Sequence, residues 1–279
     1  MIPKIIHLCW LSGDKFPDSI RQCLDTWLVH LKGYEVWMWT SMSVTPESQE
    51  ENGNARYFNK MMPFDLDSTV WTKQAYEAKK YAFAADLIRL KALYEYGGIY
   101  MDADVLAYKP FDDLLQLPYF IGCDQIRAFE AAVIGCAKGC QWVKDVLDTY
   151  QGKAFIKSDG TYDQMELPVR FHHVLTDLGY KFYKVSRIDE SANAALADKT
   201  MYVFDKDFFN SRNAVEVHPT KKSYTAHNYA GSWNAKKAIS MGDKVKSLLP
   251  KWLLALIYTI GQATWARNKY AWFQIPFCN

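Results

Sequence analysis

The chain has 279 residues and an almost balanced charge, with 33 basic residues, 31 acidic residues and a formal net charge of +2 at pH 7. This balance gives no reason to expect a nucleic-acid partner, and 49% apolar with 15% aromatic residues exclude disorder over most of the chain. The six cysteines form no CxxC pair, and the opening sequence MIPKIIHLCW has too short an apolar run for a signal peptide. Composition therefore predicts a folded cytoplasmic protein with reduced thiols.

The N-terminal part of the chain has the pattern of a strand, a helix and a second strand, over residues 5–11, 20–31 and 34–39. Such a beginning is typical of a parallel sheet that binds a nucleotide. Residues 41–68 are polar, with two prolines and little periodicity, which predicts a long loop or a small insertion. Residues 72–96 predict one helix or two consecutive helices.

Within this helical region, two charged residues lie on one side of a helix. Asp86 and Arg89 are three residues apart, so they project from neighbouring positions. A carboxylate that accepts hydrogen bonds and a guanidinium that donates them suit the hydroxyls of a sugar. The alternative is a surface ion pair that stabilises the helix by only a few tenths of a kcal/mol. Gly97 and Gly98 are expected to end the helix.

The next residues, 99–106, predict a buried strand that carries a D-x-D motif. Alternation places Tyr100, Asp102 and Asp104 on one face, opposite an apolar face. Two neighbouring carboxylates repel each other there, so a divalent cation such as Mn²⁺ or Mg²⁺ is expected to compensate them. Such a cation keeps positions open for phosphate oxygens and neutralises a diphosphate leaving group.

The second half of the chain predicts further elements and then a distinct C-terminal segment. The predicted strands span residues 119–123, 131–136, 181–185, 201–204 and 223–227, and the predicted helices span residues 114–117, 141–150 and 168–178. Residues 247–267 place Trp, Leu and Ile on one helical stripe that follows several lysines. This stripe is too short to span a bilayer. It is typical of a helix in a membrane interface, with a helix packed on its own domain as the alternative.

Several residues outside the D-x-D region suit a nucleotide site. Trp10 ends the first predicted strand, where an open α/β sheet binds its nucleotide, and could stack on a base or belong to the core. His227 could add an imidazole ligand to a metal already held by carboxylates. Ser232 and Trp233 follow it in the sequence HNYAGSW and could reach a diphosphate. His7, in contrast, is expected in the core.

Three separated blocks resemble glycosyltransferase family 32: IPKIIHLCW, AYEAKKYAFAADLIRLKALYEYGGIYMDADV and AHNYAGSW. That family includes D-x-D sugar-binding proteins of capsular polysaccharide loci, yeast-type mannosyltransferases and relatives of large clostridial glucosylating toxins. The resemblance implies a GT-A glycosyltransferase fold, a Rossmann-like mixed α/β sheet flanked by helices. It places the catalytic domain at residues 1–235 and a C-terminal helical tail at residues 236–279. It also implies a UDP- or GDP-sugar donor, Mn²⁺ or Mg²⁺, and retention of the anomeric configuration.

The same resemblance implies roles for individual residues. Trp10 would stack on the nucleobase, while Asp86 and Arg89 would hold the donor sugar. Asp102 would contact ribose and metal-bound water, and Asp104 would ligate the metal. The implied metal site comprises Asp102, Asp104 and His227. The implied donor site comprises Trp10, Tyr100, Asp86, Arg89, Asp102, Ser232 and Trp233.

Residues 119–175 lie in the half that, by this resemblance, meets the acceptor. Their polar side chains are each expected to be solvated or structural rather than catalytic, namely Asp124, Glu130, Asp163, Gln164, His172 and His173. The resemblance provides no protein nucleophile. It therefore implies a front-face substitution, in which the acceptor hydroxyl gives its proton to the departing phosphate oxygen.

Three hypotheses for the function follow. The first is a metal-dependent retaining glycosyltransferase of bacterial capsular or surface polysaccharide synthesis. Its acceptor would be an oligosaccharide, or a lipid-linked glycan if residues 247–267 bind the inner face of the cell membrane. The second is an Asp-x-Asp phosphohydrolase, which is disfavoured because Leu106 stands where that class has Thr or Val. The third is a non-catalytic nucleotide-sugar-binding protein, against which the intact set of charged residues argues.

Overall fold

The computed structural model describes residues 1–191, 199–211, 217–228, 250 and 274–278. The helices are Asp18–His30 (α1), Pro46–Glu51 (α2), Val70–Glu77 (α3), Tyr81–Tyr96 (α4), Gln141–Asp148 (α5), Leu167–Asp177 (α6), Ile188–Ser191 (α7) and Lys206–Phe209 (α8). The strands are Ile5–Cys9 (β1), Glu35–Ser41 (β2), Lys60–Phe64 (β3), Gly98–Met101 (β4), Val105–Ala107 (β5), Tyr119–Cys123 (β6), Phe129–Cys136 (β7), Lys181–Val185 (β8), Thr200–Phe204 (β9) and Thr225–His227 (β10). Ser232, Trp233 and the predicted helix at residues 247–267 lie outside the described residues.

Eight of these strands form one mixed sheet in the order β3-β2-β1-β4-β7-β6-β9-β8. Strand β7 runs antiparallel to both of its neighbours, and the other adjacent pairs are parallel. Side chains of α1 belong to one buried apolar cluster, and side chains of α3 to α6 belong to another, so helices cover both faces of the sheet. The predicted mixed α/β class is confirmed.

The prediction of a loop at residues 41–68 is wrong in part, because this segment contains α2 and strand β3. Strand β3 pairs in parallel with β2 and lies at the edge of the sheet. Only Phe64 of this strand is buried, so its sequence lacks the apolar pattern of a central strand. An edge position also tolerates Pro63, which has no amide hydrogen for a second neighbour.

The predicted single strand at residues 99–106 is divided in two. The amide of Asp102 still donates to Ala132 O at 2.9 Å, which continues the pairing of β4 with β7. A turn then follows, in which the amide of Val105 donates to Asp102 O at 3.1 Å. The chain leaves the large sheet and β5 pairs with β10 instead. The D-x-D motif therefore lies in a turn at the carboxyl end of β4.

The two glycines before β4 are required by close backbone packing. Both have positive φ, 69° at Gly97 and 105° at Gly98. A Cβ atom would lie 2.6 Å from Lys138 N at the first position and 2.7 Å from Ile5 O at the second. Only glycine satisfies both the conformation and the space, so this turn fixes how α4 leads into the D-x-D strand.

Residues 72–96 are resolved as two helices, α3 and α4, separated by Lys79 with a φ of 56°.

Near the C-terminus, Ile275 is buried and Phe277 forms a β-bridge with Phe182, so residues 274–278 pack on the large sheet. No helix among the described residues has the length and apolar character needed to cross a bilayer. The division at residue 235 stays a prediction.

His7 is a core histidine with both ring nitrogens engaged. Its Nε2–H donates to Gly97 O at 2.8 Å, and Nδ1 accepts from Trp39 Nε1–H at 3.1 Å. Burial lowers the pKa of His7 to about 4, although the Gly97 carbonyl opposes this shift. A second ring proton would face the Trp39 donor, so the folded protein favours the neutral ring.

This depressed pKa predicts a loss of stability in mild acid. Above the ordinary histidine pKa of 6.5 the neutral ring imposes no penalty, whereas between 6.5 and about 4 the unfolded chain binds the proton preferentially. The free energy of unfolding should therefore fall by up to about 3 kcal/mol over this window because of His7. Urea unfolding of the wild type and of His7→Gln at pH 7.5 and pH 4.5 measures the effect. Equal pH dependence in the two proteins would contradict it.

Candidate functional site

Helix α4 carries a charged pair into the interior of the protein. Arg89 Nη2 lies 3.2 Å from Asp86 Oδ1, and the two side chains are only 7% and 10% exposed. Burying two charged groups is costly unless each has strong partners. The structure thus brings the predicted pair together and rejects the alternative of a surface ion pair.

Arg89 also joins α4 to the D-x-D strand. Its Nη1 donates to Ala131 O at 2.7 Å, and its Nη2 lies 3.3 Å from Asp102 Oδ1. The guanidinium carbon stands 4.2 Å from the ring centre of Tyr100, whose hydroxyl donates to Asp102 Oδ1 at 2.7 Å. The Nε–H of Arg89 is buried and has no hydrogen-bond partner among the described residues. One arginine therefore bridges two carboxylates, while its Nε–H has no partner among the described residues.

His227 reaches the D-x-D turn because β10 pairs antiparallel with β5. In this register His227 lies opposite Val105, and the amide of Asn228 donates to Asp104 O at 2.9 Å. His227 Nε2 stands 3.2 Å from Asp104 Oδ1. One ligand atom each from Asp102, Asp104 and His227 lies within 4.8 Å of the others. The sequence analysis predicted the same three residues, although His227 lies more than a hundred positions from the two aspartates.

The donor set of these three side chains fits a divalent cation. Two carboxylates and one imidazole suit Mn²⁺, and Mg²⁺ also accepts carboxylates. All three are partly exposed, which leaves room for phosphate oxygens as further ligands. Burial alone would lower the pKa of His227, but the carboxylates of Glu130 and Asp104 raise it to about 10. A bound cation would replace that proton, as ligand imidazoles must be neutral.

Two cavities meet at Arg89 and Asp102. The smaller, of about 230 Å³, lies on the side of Asp86 and is lined by Asp124, Glu130 and Glu166, among other residues. The larger, of about 460 Å³, lies towards Trp10 and reaches Asp104. A ligand with a bulky planar group and a compact polar group could occupy both cavities at once, with its middle part beside the D-x-D turn.

Buried carboxyl groups give the smaller cavity its character. Burial raises the pKa of Asp86 to about 7, against the opposing effect of the Arg89 guanidinium. Burial likewise raises the pKa of Asp124 to about 7 and is helped by the nearby Glu130 carboxylate. Such groups accept and donate hydrogen bonds readily near neutral pH. The lining therefore suits a neutral polyhydroxyl group.

Trp10 is held in a fixed orientation at the mouth of the larger cavity. It follows β1, and its Nε1–H donates to Asp14 O at 2.7 Å. Its ring lies 4.8 Å from that of Phe16, and the side chain remains partly exposed. The residue is thus attached to the core on one side and available for stacking on the other. Ser232 and Trp233 fall outside the described residues, so their predicted roles stay predictions.

Among the polar residues of positions 119–175, the structure separates site residues from structural ones. Asp124 and Glu130 line the smaller cavity together with Glu166, which sequence reasoning missed. Asp163 instead pairs with Lys153 at 2.8 Å. The described linings of the two cavities also omit Gln164, His172 and His173. Asp124 accepts from the amides of Ile126 and Ala128, and Glu130 from that of Ala132, so both also have structural contacts. The expectation that each such residue is solvated or structural rather than catalytic stays a prediction.

A usable signal for these two residues existed in the strand pattern. Asp124 follows the carboxyl end of β6, and Glu130 lies at the start of β7. Because β7 is antiparallel to β4 and β6, its beginning lies at the same sheet edge as the D-x-D turn. Ligands of open α/β sheets bind at this edge.

The fold and the site define a class of protein: a mixed α/β sheet with a D-x-D turn after a central strand and two cavities beside that turn. Residues 17–121 match the family described as glycosyltransferase sugar-binding region containing DXD motif. The sequence resemblance is confirmed for these residues. The mixed α/β sheet flanked by helices that the resemblance implied is the one observed.

Of three relatives, two are named as a mannosyltransferase and a glycosyltransferase. Inositol phosphoceramide mannosyltransferase 3 of Schizosaccharomyces pombe is 29% identical over 158 residues, which cover 55% of this chain and 38% of that protein. The uncharacterized glycosyltransferase L373 of Acanthamoeba polyphaga mimivirus is 23% identical over 240 residues, 84% of each chain. Subversion of eukaryotic traffic protein A of Legionella pneumophila is 25% identical over 57% of this chain and 26% of its own length. The chain thus spans well under half of two of these relatives.

Two solved structures that are partly similar to this chain have titles that name a glycosyltransferase. PaToxG glycosyltransferase has 22% identity and a TM-score of 0.47, covering 64% of this chain and 69% of its own. Apo-form glycosyltransferase GlyE of Streptococcus pneumoniae has 11% identity and a TM-score of 0.44, covering 94% and 64%.

Proposed function

We propose that this chain is a metal-dependent glycosyltransferase that moves a sugar from a nucleotide-sugar donor to a glycan acceptor. The observation that carries the proposal is Arg89, which stands between two cavities and bridges Asp86 to Asp102 beside the Asp-Asp-His cluster. A nucleotide sugar has the matching order of parts: a planar base, a diphosphate that binds a cation, and a neutral polyhydroxyl ring. The match of residues 17–121 to a sugar-binding D-x-D region supports the same conclusion.

In this proposal the donor lies across the sheet edge. Its base stacks on Trp10 in the larger cavity, and its ribose lies near Tyr100 and Asp102. The sugar enters the smaller cavity, where Asp86 accepts from its hydroxyls and Arg89 donates to them. The name of the mannosyltransferase relative supports a neutral hexose as the transferred group. UDP and GDP remain the two candidate nucleotides.

The diphosphate lies between the two cavities, at the D-x-D turn. Asp102, Asp104 and His227 would hold Mn²⁺ or Mg²⁺, which neutralises the charge on the leaving diphosphate when bound. Arg89 lines both cavities, so its guanidinium can add a hydrogen bond to a phosphate oxygen at this junction. The site would therefore stabilise charge where it develops as the bond to the sugar breaks.

We further propose retention of the anomeric configuration by front-face substitution. The acceptor oxygen bonds to the anomeric carbon on the face from which the diphosphate leaves, and the bond from that carbon to the phosphate oxygen breaks. The acceptor proton passes to the departing phosphate oxygen, so no protein nucleophile is needed. Glu130 is not expected to act as a nucleophile, because Asn210 and the amide of Ala132 already donate hydrogen bonds to its carboxylate.

The proposal also includes an acceptor and a location for the enzyme. We place the enzyme in the cytoplasm, in the synthesis of capsular or another surface polysaccharide. The acceptor is an oligosaccharide or a lipid-linked glycan. In the second case residues 247–267, which lie outside the described residues, would rest on the inner face of the cell membrane. Co-sedimentation with liposomes that is unchanged by removal of residues 247–279 would refute this membrane contact.

The central test is slow hydrolysis of the donor. The protein is incubated with Mn²⁺ and a panel of UDP- and GDP-sugars, and the released sugar and nucleoside diphosphate are quantified. We expect release from one donor and its loss on addition of EDTA, because the leaving group needs the cation. Cleavage of simple phosphomonoesters without hydrolysis of any nucleotide sugar would instead favour the phosphohydrolase hypothesis.

A further inference from the structure

Glu130 is a buried carboxylate next to the Asp-Asp-His cluster. It lies near the start of β7, and its side chain is 5% exposed. A carboxylate in this environment destabilises the fold unless several donors compensate it. Its partners therefore indicate what the residue does.

Two donors from different parts of the chain fix the carboxylate. The amide of Ala132 donates to Oε1 at 3.1 Å, and the side-chain amide of Asn210, just after α8, donates to Oε2. Asn210 is fully buried, so this contact is shielded from water. The carboxylate consequently has little freedom to rotate, and Oε1 is held towards β10.

Oε1 faces the imidazole of His227. His227 Nδ1 lies 3.3 Å from Glu130 Oε1, while Nε2 on the other side of the ring lies 3.2 Å from Asp104 Oδ1. A neutral histidine whose Nδ1–H donates a hydrogen bond to a carboxylate has its lone pair on Nε2, where it can bind a metal. Such carboxylate–histidine pairs orient the ring of metal-ligating histidines and raise their basicity.

We propose that Glu130 is a positioning residue of the cation site: its Oε1 accepts a hydrogen bond from the Nδ1–H of His227 and directs Nε2 towards Asp102 and Asp104. The inference rests on the proposed function only in taking the cluster to bind a cation. It extends that function, because Glu130 would determine cation affinity without itself being a ligand. It also explains why a buried charge is maintained in the central sheet.

The competing explanation is that Glu130 only anchors Asn210 and α8 to β7. The two explanations predict different measurements. An anchor affects the folded population and leaves the cation affinity of the folded protein unchanged. A positioning residue changes that affinity even where the protein remains fully folded.

The experiment is a titration of the full chain with Mn²⁺ alone, followed by electron paramagnetic resonance of free Mn²⁺, with thermal unfolding recorded for each variant. Wild type is expected to bind, and Glu130→Ala to bind about 10–100-fold more weakly. Glu130→Gln keeps an acceptor oxygen without the charge, so its loss should be smaller than that of Glu130→Ala. Glu95→Gln, a surface change on α4, is the control and should match the wild type.

The outcomes are distinct. If wild type binds Mn²⁺ and Glu130→Ala stays folded with an affinity within twofold of it, the positioning role is refuted and the proposed transferase stands. If Glu130→Ala does not fold, Glu130→Gln decides: an unchanged affinity refutes the role and at least threefold weaker binding supports it. If wild type binds no Mn²⁺, both the cation site and the inference fail. Donor hydrolysis by wild type, measured separately, shows whether the proposed function fails with them.

Discussion

Replacing Asp104 by asparagine is expected to reduce donor hydrolysis by at least about 100-fold. Asparagine has nearly the same shape, so the turn between β4 and β5 should persist. The substitution removes one of the two negative charges that a cation would meet, and it weakens the contact to His227 Nε2 at 3.2 Å. The measurements are Mn²⁺-dependent hydrolysis of the preferred donor and the Mn²⁺ affinity of the variant.

The control for this prediction is Asp67→Asn. Asp67 is an exposed residue that pairs with Lys73 on the protein surface. The Asp67→Asn substitution should leave both donor hydrolysis and Mn²⁺ affinity unchanged, because exposed ion pairs contribute little to the stability of the fold. If the Asp104→Asn variant hydrolyses the donor as fast as the wild type, the D-x-D turn is not where the leaving group is stabilised.

The core of the site could be predicted from local sequence. The spacing of Asp86 and Arg89 fixes their common side on any helix, and D-x-D after a glycine turn fixes the carboxylates at the end of a strand. Burial of the pair could not be derived this way, because it depends on β7 and Ala131 covering α4. Pairing across elements is a property of the whole fold.

The missed features have the same physical origin. Strand β3 lies at a sheet edge, has only Phe64 buried and contains Pro63, so its sequence lacks the alternation that is typical of a strand. The break at Ala103 arises because β5 finds a partner in β10, more than a hundred residues later. The strand pattern places Glu130 at the site edge of the sheet, but its contacts could not be derived locally, since Asn210 and His227 come from distant segments. Long-range pairing, rather than propensity, determined each of these features.

Removing the arginine that joins these segments should have the largest effect on stability. Arg89→Ala leaves Asp86 and Asp102 without their shared guanidinium and the Ala131 carbonyl without its donor. We expect the free energy of unfolding to fall by about 3–5 kcal/mol, since breaking a buried pair leaves charge uncompensated. Arg56→Ala, which breaks an exposed pair with Asp25, should cost no more than about 1 kcal/mol. Urea unfolding compares the two.

Asp86→Asn separates this structural role from donor binding. Asparagine still accepts from Arg89 and carries no charge, and burial already makes ionisation of Asp86 unfavourable, with its pKa raised to about 7. The variant should therefore lose only about 1 kcal/mol of stability. Its donor hydrolysis should nevertheless fall about 10–100-fold, because a carboxyl group offers two oxygen atoms to the sugar hydroxyls whereas an amide offers only one. A variant that is stable and fully active would assign Asp86 to the packing of α4 and remove it from the sugar site.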